Sequence, residues 1–249
     1  MDIKAYLKRI NYQGETRKDA DTLKKLHVAH LMSVPFENLS IRLKEPVVLN
    51  DEALFQKIVV RNRGGFCYEL NGLFAALLRE LGFDVTMLSA GVAKPGGGFK
   101  ADFDHMVLRV NLEEEWLADV GFGDSFVEPL VLKKDIEQDQ YGRTYCIEAA
   151  GDSLIMKQCG EDGIWKPRFR FDLEPHEYRE YENMCLFHQT SPESHFTQEF
   201  ICSLARPDGR TTLTEKKLII TENGVKQERE VKDKEEYYEL LNEYFGIKL

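Results

Sequence analysis

Apolar residues recur at helical spacing through the first third of the chain. Ile3, Tyr6, Leu7 and Ile10 share one helix face. Leu23, Leu26 and Leu31 mark a second helix, which stops before Pro35. A third begins near Asn50, with Asp51 and Glu52 at the positive end of the helix dipole and Leu54, Phe55, Ile58 and Val59 turned inward. A fourth starts at or just before Cys67. Its wide stripe of Leu70, Leu73, Phe74, Leu77, Leu78 and Leu81 places it at the centre of this lobe, and Gly82 is positioned as a left-handed C-terminal cap.

Beyond Gly82 the pattern changes from helical to alternating. "FDVTMLSAGVA" alternates between two faces, and "HMVLRVNLEEEWLADVGFG" reads as two strands joined by a polar turn near Glu113 and Glu114. "YCIEAA", "SLIMKQ" and "PRFRFDL" continue the strand pattern, so a β-barrel or sandwich is expected in the middle third. In the last third, "RTTLTEKKLIITENGVKQEREV" reads as a hairpin turning at Asn223-Gly224. Asp233 with Glu236 has the spacing of a capping box, opening a helix with Leu240, Leu241, Tyr244 and Phe245 inside and Gly246 at its end.

The chain has 249 residues, 43% of them hydrophobic, enough for a substantial core in one large domain or two to three lobes. Its formal net charge of -10 argues against nucleic acid as the main partner, because phosphate binding needs a basic face. No apolar run approaches membrane-spanning length, and the first residues have no signal-type apolar core, so a cytoplasmic protein is expected. Five cysteines without a Cys-x-x-Cys pair or zinc-ligand spacing form neither a disulfide scaffold nor a metal site. Cys146, Cys159, Cys185 and Cys202 read as small buried apolar groups.

Cys67 is different. It follows Gly64, Gly65 and Phe66 and opens an apolar helix, where unpaired backbone N–H groups favour a thiolate. A nucleophilic cysteine needs a base, and the base needs an orienting group. Of the six histidines, His27 and His30 read as a partly exposed helix edge, and His176, His188 and His195 as solvated loop residues. His105 instead opens an apolar strand after a glycine-rich loop. In a hairpin turning near Glu113, the start of its first strand lies beside the end of its second, which makes Asp119 the neighbour of His105. From the residues alone, this pair reads either as a catalytic base with its orienting carboxylate or as a structural hydrogen bond at a barrel rim.

"RGGFCYELN", "DHMVLRV" and "ADVGFG" occur in that order, with "VPFENLSI" before them and "QTSPESHFTQEFICSLARPDGR" after. Together they resemble the arylamine N-acetyltransferase family over almost the whole chain. The resemblance implies an α+β fold with a cysteine-protease-like catalytic core: a helical N-terminal lobe (1–83), a central β-barrel (84–185) and a C-terminal α/β lid (186–249). It implies a catalytic triad at Cys67, His105 and Asp119, and ping-pong transfer of acetyl from acetyl-CoA to aromatic amines, hydrazines or hydroxylamines, without a metal. Phe36, Val92 and Phe122 match family positions around the acceptor slot; each also reads as an ordinary core residue. The family places coenzyme A contacts at Ala101, Asp102, Phe187 and Ser191, although Asp102 is an unexpected charge beside an anionic donor. Lys94 and Lys100 around three glycines offer a phosphate-holding loop or, more simply, a mobile hairpin. Arg63 and Glu69 read as partners holding the loop before Cys67.

The same three residues also suit a cysteine hydrolase, a transglutaminase-like enzyme or an amide synthase, and the fold also suits a binding protein without catalysis. The donor consumed separates the enzymes, and the reactivity of Cys67 separates the binding protein. Asp124, directly after "GFG", puts a negative charge near the acceptor. Asp124→Ala is expected to change selectivity among amines more than acetyl-enzyme formation, measured as rates with a panel of amines; equal effects on all acceptors would count against it.

Overall fold

The computed structural model describes residues 1–160 and 162–249. Helices α1 (Ile3–Arg9), α2 (Ala20–Ser33), α3 (Leu39–Leu43) and α4 (Asp51–Phe55) surround α5 (Cys67–Glu80). Polar side chains cap α1, α2 and α4: Asp2 accepts from the Ala5 N–H, Asp19 from Thr22, and Asn50 from Glu52 and Ala53. The expected third helix is not uniform. After α4 the chain widens into a π-helical turn, Gln56–Val60, on which Lys57 is buried together with Ile58.

α5 is more deeply placed than its apolar stripe requires. Every residue from Cys67 to Leu78 is buried, the polar Glu69 and Asn71 included. The helix packs against α1 and α4 on one side and the first barrel strands on the other. Gly82 follows it with φ +86°.

The barrel strands are β2 (Asp84–Val92), β3 (His105–Asn111), β4 (Glu115–Ala118), β5 (Leu130–Val131), β6 (Gln138–Gln140), β7 (Arg143–Ala150), β8 (Ser153–Cys159) and β9 (Trp165–Phe171). They form an eight-stranded antiparallel sheet in the order β5-β4-β3-β2-β9-β8-β7-β6. One face packs on α5 through Met87, Met106, Leu108 and Val110. The other encloses a second core containing Leu88, Val107, Leu117, Ile147 and Phe169. Adjacent strand residues thus feed different cores, as the alternating pattern requires.

The two edge strands meet through side chains. The Gln138 carboxamide accepts from the Val131 N–H (2.8 Å) and donates to the Val131 carbonyl (3.0 Å). Gln140 accepts from the N–H groups of Val127 and Glu128 and donates to the Glu128 carbonyl. Carboxamides here take the place of a strand partner, satisfying backbone groups that an open edge leaves unpaired.

The C-terminal sheet contains β10 (Ile201–Arg206), β11 (Gly209–Thr214), β12 (Lys217–Glu222) and β13 (Val225–Glu230). The segment expected as one hairpin holds three strands, because the chain also reverses between Thr214 and Lys217, where the Thr214 hydroxyl accepts from the N–H groups of Lys216 and Lys217. The expected turn at Asn223-Gly224 has positive φ at both residues. The short strand β1 (Phe36–Glu37) pairs with β10, so the N-terminal segment contributes to this sheet. Between the sheets run α6 (Glu182–Thr190), which crosses residue 185, and α7 (His195–Gln198). α8 (Lys234–Phe245) packs Leu240, Leu241 and Phe245 onto the sheet. Its capping box is half formed: Asp233 accepts from the Glu236 N–H, but Glu236 accepts from Lys232 rather than Asp233.

Deleting the carboxamide at the seam with Gln138→Ala removes both bonds to Val131. The expected loss is about 1–3 kcal/mol, read as a lower urea midpoint at unchanged slope. An unshifted midpoint would show that the barrel closes without it.

Candidate active site

The loop before α5 is fastened by buried charges. Arg63 donates to Glu37 (2.9 Å), whose other oxygen accepts from the Leu39 N–H (2.7 Å). Lys57 donates to Glu69 (2.7 Å), whose other oxygen accepts from the Phe66 N–H (3.1 Å). Lys57 also lies 3.9 Å from Glu37, joining both pairs into one network. Burial raises the Glu37 carboxyl, but Lys57 and Arg63 outweigh it and hold the group below its ordinary value. Arg63 and Glu69 thus hold the loop, as the sequence suggested. Gly64 has no room for a side chain there: an added Cβ would lie 1.9 Å from the Pro35 carbonyl oxygen.

This anchoring presents Cys67 at the first position of α5, 3% exposed. His105 opens β3, and Asp119 follows the end of β4. Their side chains meet at 2.7 Å, His105 Nε2 to Asp119 Oδ2, which leaves Nδ1 as the ring nitrogen free to exchange a proton. The second Asp119 oxygen accepts from Asn71 Nδ2 and from the Gly121 N–H, both at 2.8 Å. Asn71 also donates to the Met106 carbonyl and accepts from the Val120 N–H. It therefore ties α5 to β3 and to the loop carrying Asp119. Gly121 packs directly on Cys67, where a Cβ would lie 2.7 Å from the Cys67 Cα.

His27 corrects the sequence expectation. Neither it nor His30 lies on an exposed edge; both are fully buried, because α2 turns this face toward α5 and the barrel. His27 Nδ1 donates to the Val127 carbonyl (2.7 Å), and Nε2 accepts from the Asp119 N–H (3.0 Å). These two bonds need one neutral tautomer. Burial lowers the His27 pKa to about 4, against the opposing pull of the Val127 carbonyl and Asp119. His188 is a second correction: it is buried in α6, with Nδ1 3.1 Å from Ser194 Oγ and Nε2 3.5 Å from Asp104. Asp104 also pairs with Lys100 at 3.4 Å. His195 is exposed on α7 at the cavity rim, and His176 is half-buried beside Glu180.

A cavity of about 410 Å³ opens onto Cys67 and His105. Phe36, Val92 and Phe122 all line it. Phe122 stands edge-on to His105, with ring centres 5.2 Å apart. Ala101, Asp102, Phe187 and Ser191 are not among its lining residues. Asp102 is exposed and paired with Arg170, and Ala101 and Phe187 are also exposed. Lys100 lines the cavity while Lys94 does not. Asp124 lines it too, but its charge is shared with Arg143 and Arg210. Burial raises the Asp124 carboxyl, yet Arg210 and Arg143 outweigh it and keep it below its ordinary value.

Asn71, Asp104, Arg168, Arg210 and Phe196 join the site without having been singled out in the sequence. Asn71 had a usable signal, since it lies four residues after Cys67 on the same helix face. Asp104 directly precedes His105 and had a cue of the same local kind; Arg168, Phe196 and Arg210 come from distant segments and had none. Among the described residues, no cluster of three or more His, Cys, Asp or Glu is placed to hold a metal ion, and no helix is long and apolar enough to cross a membrane.

His27 and His30 both have pKa values lowered by burial. The unfolded chain therefore binds more protons below the ordinary histidine value, and stability falls with pH from about 6.5 down through about 4. His27 alone accounts for about 3 kcal/mol across that window. Stability is expected to fall from pH 7 to pH 4.5 and to fall less in His27→Asn, measured by urea unfolding at each pH; equal pH slopes in the two proteins would overturn the assignment.

The N-acetyltransferase family model matches residues 19–249. The chain is 34% identical to an arylamine N-acetyltransferase of Escherichia coli, over 97% of this chain and 87% of that one. It is 32% identical to a proansamycin X synthase of Amycolatopsis mediterranei, over 97% and 95%. The structure of Mycobacterium marinum arylamine N-acetyltransferase in complex with CoA superposes with a TM-score of 0.92 at 33% identity, covering 99% of this chain and 93% of that one. Carried over nearly their full lengths by sequence and fold alike, these similarities show that the chain belongs to the arylamine N-acetyltransferase family.

Proposed function

We propose that the protein transfers an acetyl group from acetyl-CoA to the nitrogen of arylamines, arylhydrazines or arylhydroxylamines, through an acetyl-cysteine at Cys67. The observation that carries this is the convergence of Cys67 and His105 on one aromatic-lined cavity, with Asp119 bonded behind the imidazole. The CoA complex of the Mycobacterium marinum relative supports the donor. Ala101 and Asp102 adjoin Lys100 in sequence, and Phe187 and Ser191 lie near His188; both anchors line the cavity. A donor leaving the cavity on that side would pass these four residues.

In the first half-reaction the Cys67 sulfur attacks the thioester carbonyl while its proton passes to His105. The C–S bond to CoA breaks, and His105 returns the proton to the departing thiol. The amine then attacks the acetyl-cysteine, its C–N bond forming as the C–S bond to Cys67 breaks. His105 relays the surplus amine proton to the sulfur. Asp119 orients the ring and stabilises its cationic form. The Cys67 N–H, at the first turn of α5, is the proposed oxyanion donor, with a second from the loop before His105. Phe36, Val92 and Phe122 supply the apolar wall for the aromatic acceptor.

Taken alone, the Cys67 thiol is pushed well above its ordinary pKa. Burial is the main cause, Asp104 and Asp119 add to it, and a backbone hydrogen bond from Met106 works against it. Transfer of its proton to His105 creates a thiolate–imidazolium pair without adding net charge to the site. The acidity that matters thus belongs to the pair. All five cysteines are free thiols, which suits a reducing cytoplasm.

The similarity to the proansamycin X synthase favours a second reading, an amide synthase in which the thiol carries a larger acyl group. Intact mass after brief mixing with acetyl-CoA separates the two. One added acetyl group, absent in Cys67→Ala and removed by an arylamine, is expected; no adduct, with trapping also negative, would overturn acetyl transfer. In His105→Ala, alkylation of Cys67 at pH 7 is expected to slow at least about 10-fold and to recover only in alkali. An unchanged pH profile would show that the thiol does not depend on the imidazole.

A further inference from the structure

His105 sits between two backbone carbonyls that the nucleophile's own helix holds. Asn71 of α5 donates to the Met106 carbonyl on one side, at 2.7 Å. Tyr68, the residue directly after Cys67, donates from its hydroxyl to the Phe103 carbonyl on the other, at 2.6 Å. Tyr68 and Asn71 are three residues apart and so share one face of the helix. The Tyr68 ring is fully buried. Its own carbonyl accepts from the Tyr178 hydroxyl at 2.7 Å, and Gly72 leaves room for that hydroxyl, since a Cβ there would lie 2.1 Å from its oxygen.

The carbonyl that Tyr68 holds belongs to a strained residue. Residues 101–104 make a β-turn closed by the Asp104 N–H on the Ala101 carbonyl (3.3 Å), and Phe103 occupies its third position with φ +64°. At that position a positive φ is what a type II turn requires, and glycine or asparagine ordinarily supplies it. A phenylalanine stays there only because its surroundings hold it. The holding contacts are few. The Phe103 N–H donates to Ser89 Oγ at 2.7 Å, and its carbonyl takes the Tyr68 hydroxyl. Its half-buried ring stands edge-on to His176, with ring centres 4.8 Å apart, and to Tyr181 at 5.2 Å. The regular β2–β3 ladder ends at the pair Ala90 and His105. The turn before it therefore takes its direction from these side chains, and passes that direction to His105 two residues later.

We propose that Tyr68 is a positioning residue for the reaction: its hydroxyl keeps Phe103 left-handed and thereby fixes where His105 stands relative to Cys67. The proposal rests on the acetyl-transfer function, in which His105 takes the Cys67 proton. Tyr68 is not among the residues lining the cavity, so it acts through His105 rather than on a substrate. It can do so because the first turn of α5 carries both the thiol and the hydroxyl that secures the turn before the base. Without that hydroxyl Phe103 relaxes toward a negative φ, and the chain entering His105 is re-aimed.

The test is the pH dependence of Cys67 alkylation by iodoacetamide, beside the rate of acetyl-enzyme formation from acetyl-CoA. Both are measured in the native protein, His105→Ala, Tyr68→Phe, Phe103→Gly and the variant carrying both of the last two changes. Tyr68→Phe keeps the ring and removes only the hydroxyl. It is expected to slow alkylation at pH 7 by about 3- to 10-fold, inside the loss seen in His105→Ala, and to shift the profile toward alkali. The maximal rate of acetyl-enzyme formation is expected to fall while half-saturating acetyl-CoA stays unchanged. In Phe103→Gly, where glycine holds a positive φ unaided, removing the hydroxyl is expected to change almost nothing. An equal loss with and without Phe103 would make the hydroxyl a merely structural group and overturn the proposal. Should Phe103→Gly fail to fold, Ser89→Ala decides, because it removes the other hydrogen bond to the same residue and leaves the ring in place. It is expected to shift the profile in the same direction, and an unmoved profile would refute the positioning. A native profile that does not itself depend on His105 would sink acetyl transfer and the positioning with it. A native profile that does depend on His105, overlaid by that of Tyr68→Phe, would sink the positioning alone.

Discussion

The site depends on a small set of charges held out of water. Glu37, Lys57, Arg63 and Glu69 come from β1, the π-helical turn, the glycine loop and α5, and each side chain is almost completely buried. Desolvating four charges is costly, and their mutual attraction compensates only because the geometry satisfies nearly every oxygen. Removing any one would strand a buried partner, at about 3–5 kcal/mol. What the network secures is position. Glu37 accepts from Leu39 and Gly64, Glu69 accepts from Phe66, and β1 is locked to both β10 and the loop before Cys67. The first turn of α5 is therefore fixed before any substrate arrives.

The carboxylate of Asp119 plays a similar part on the barrel side. One oxygen meets His105, the other accepts from Asn71 and Gly121, and its backbone N–H is held by His27. The imidazole is thus oriented by a group that α2, α5 and the loop carrying Gly121 position together. A misplacement of about 1 Å in such a site costs about 100-fold in rate, which gives this redundancy a purpose. The neutral state of His27 belongs to the same design. A charged ring would donate from both nitrogens and could not accept from the Asp119 N–H.

Much of this arrangement was legible before the fold was known. The helical stripe after Cys67, the alternating strands and the hairpin geometry led to His105 and Asp119 as neighbours, and their side chains meet at 2.7 Å. Errors arose where burial depends on a distant partner. His27 and His188 are each covered by an element far along the chain: His27 by the barrel segment around Val127, His188 by the segment around Asp104. The chain reversal between Thr214 and Lys217 lacks the glycine signal of Asn223-Gly224, so three strands read as one hairpin.

The sequence by itself determined most of the elements, the chain order of thiol, imidazole and carboxylate, and the family. These follow from side-chain periodicity and local backbone preference, which act over a few residues. Only the tertiary structure decided which charges are neutralised and which remain available. Asp124 looked like a lone negative charge beside the acceptor; folding surrounds it with Arg143, Arg168 and Arg210, brought from strands β7, β9 and β11. The sign of the electrostatic field in the cavity is set by groups that converge through space, and no spacing along the chain encodes that convergence.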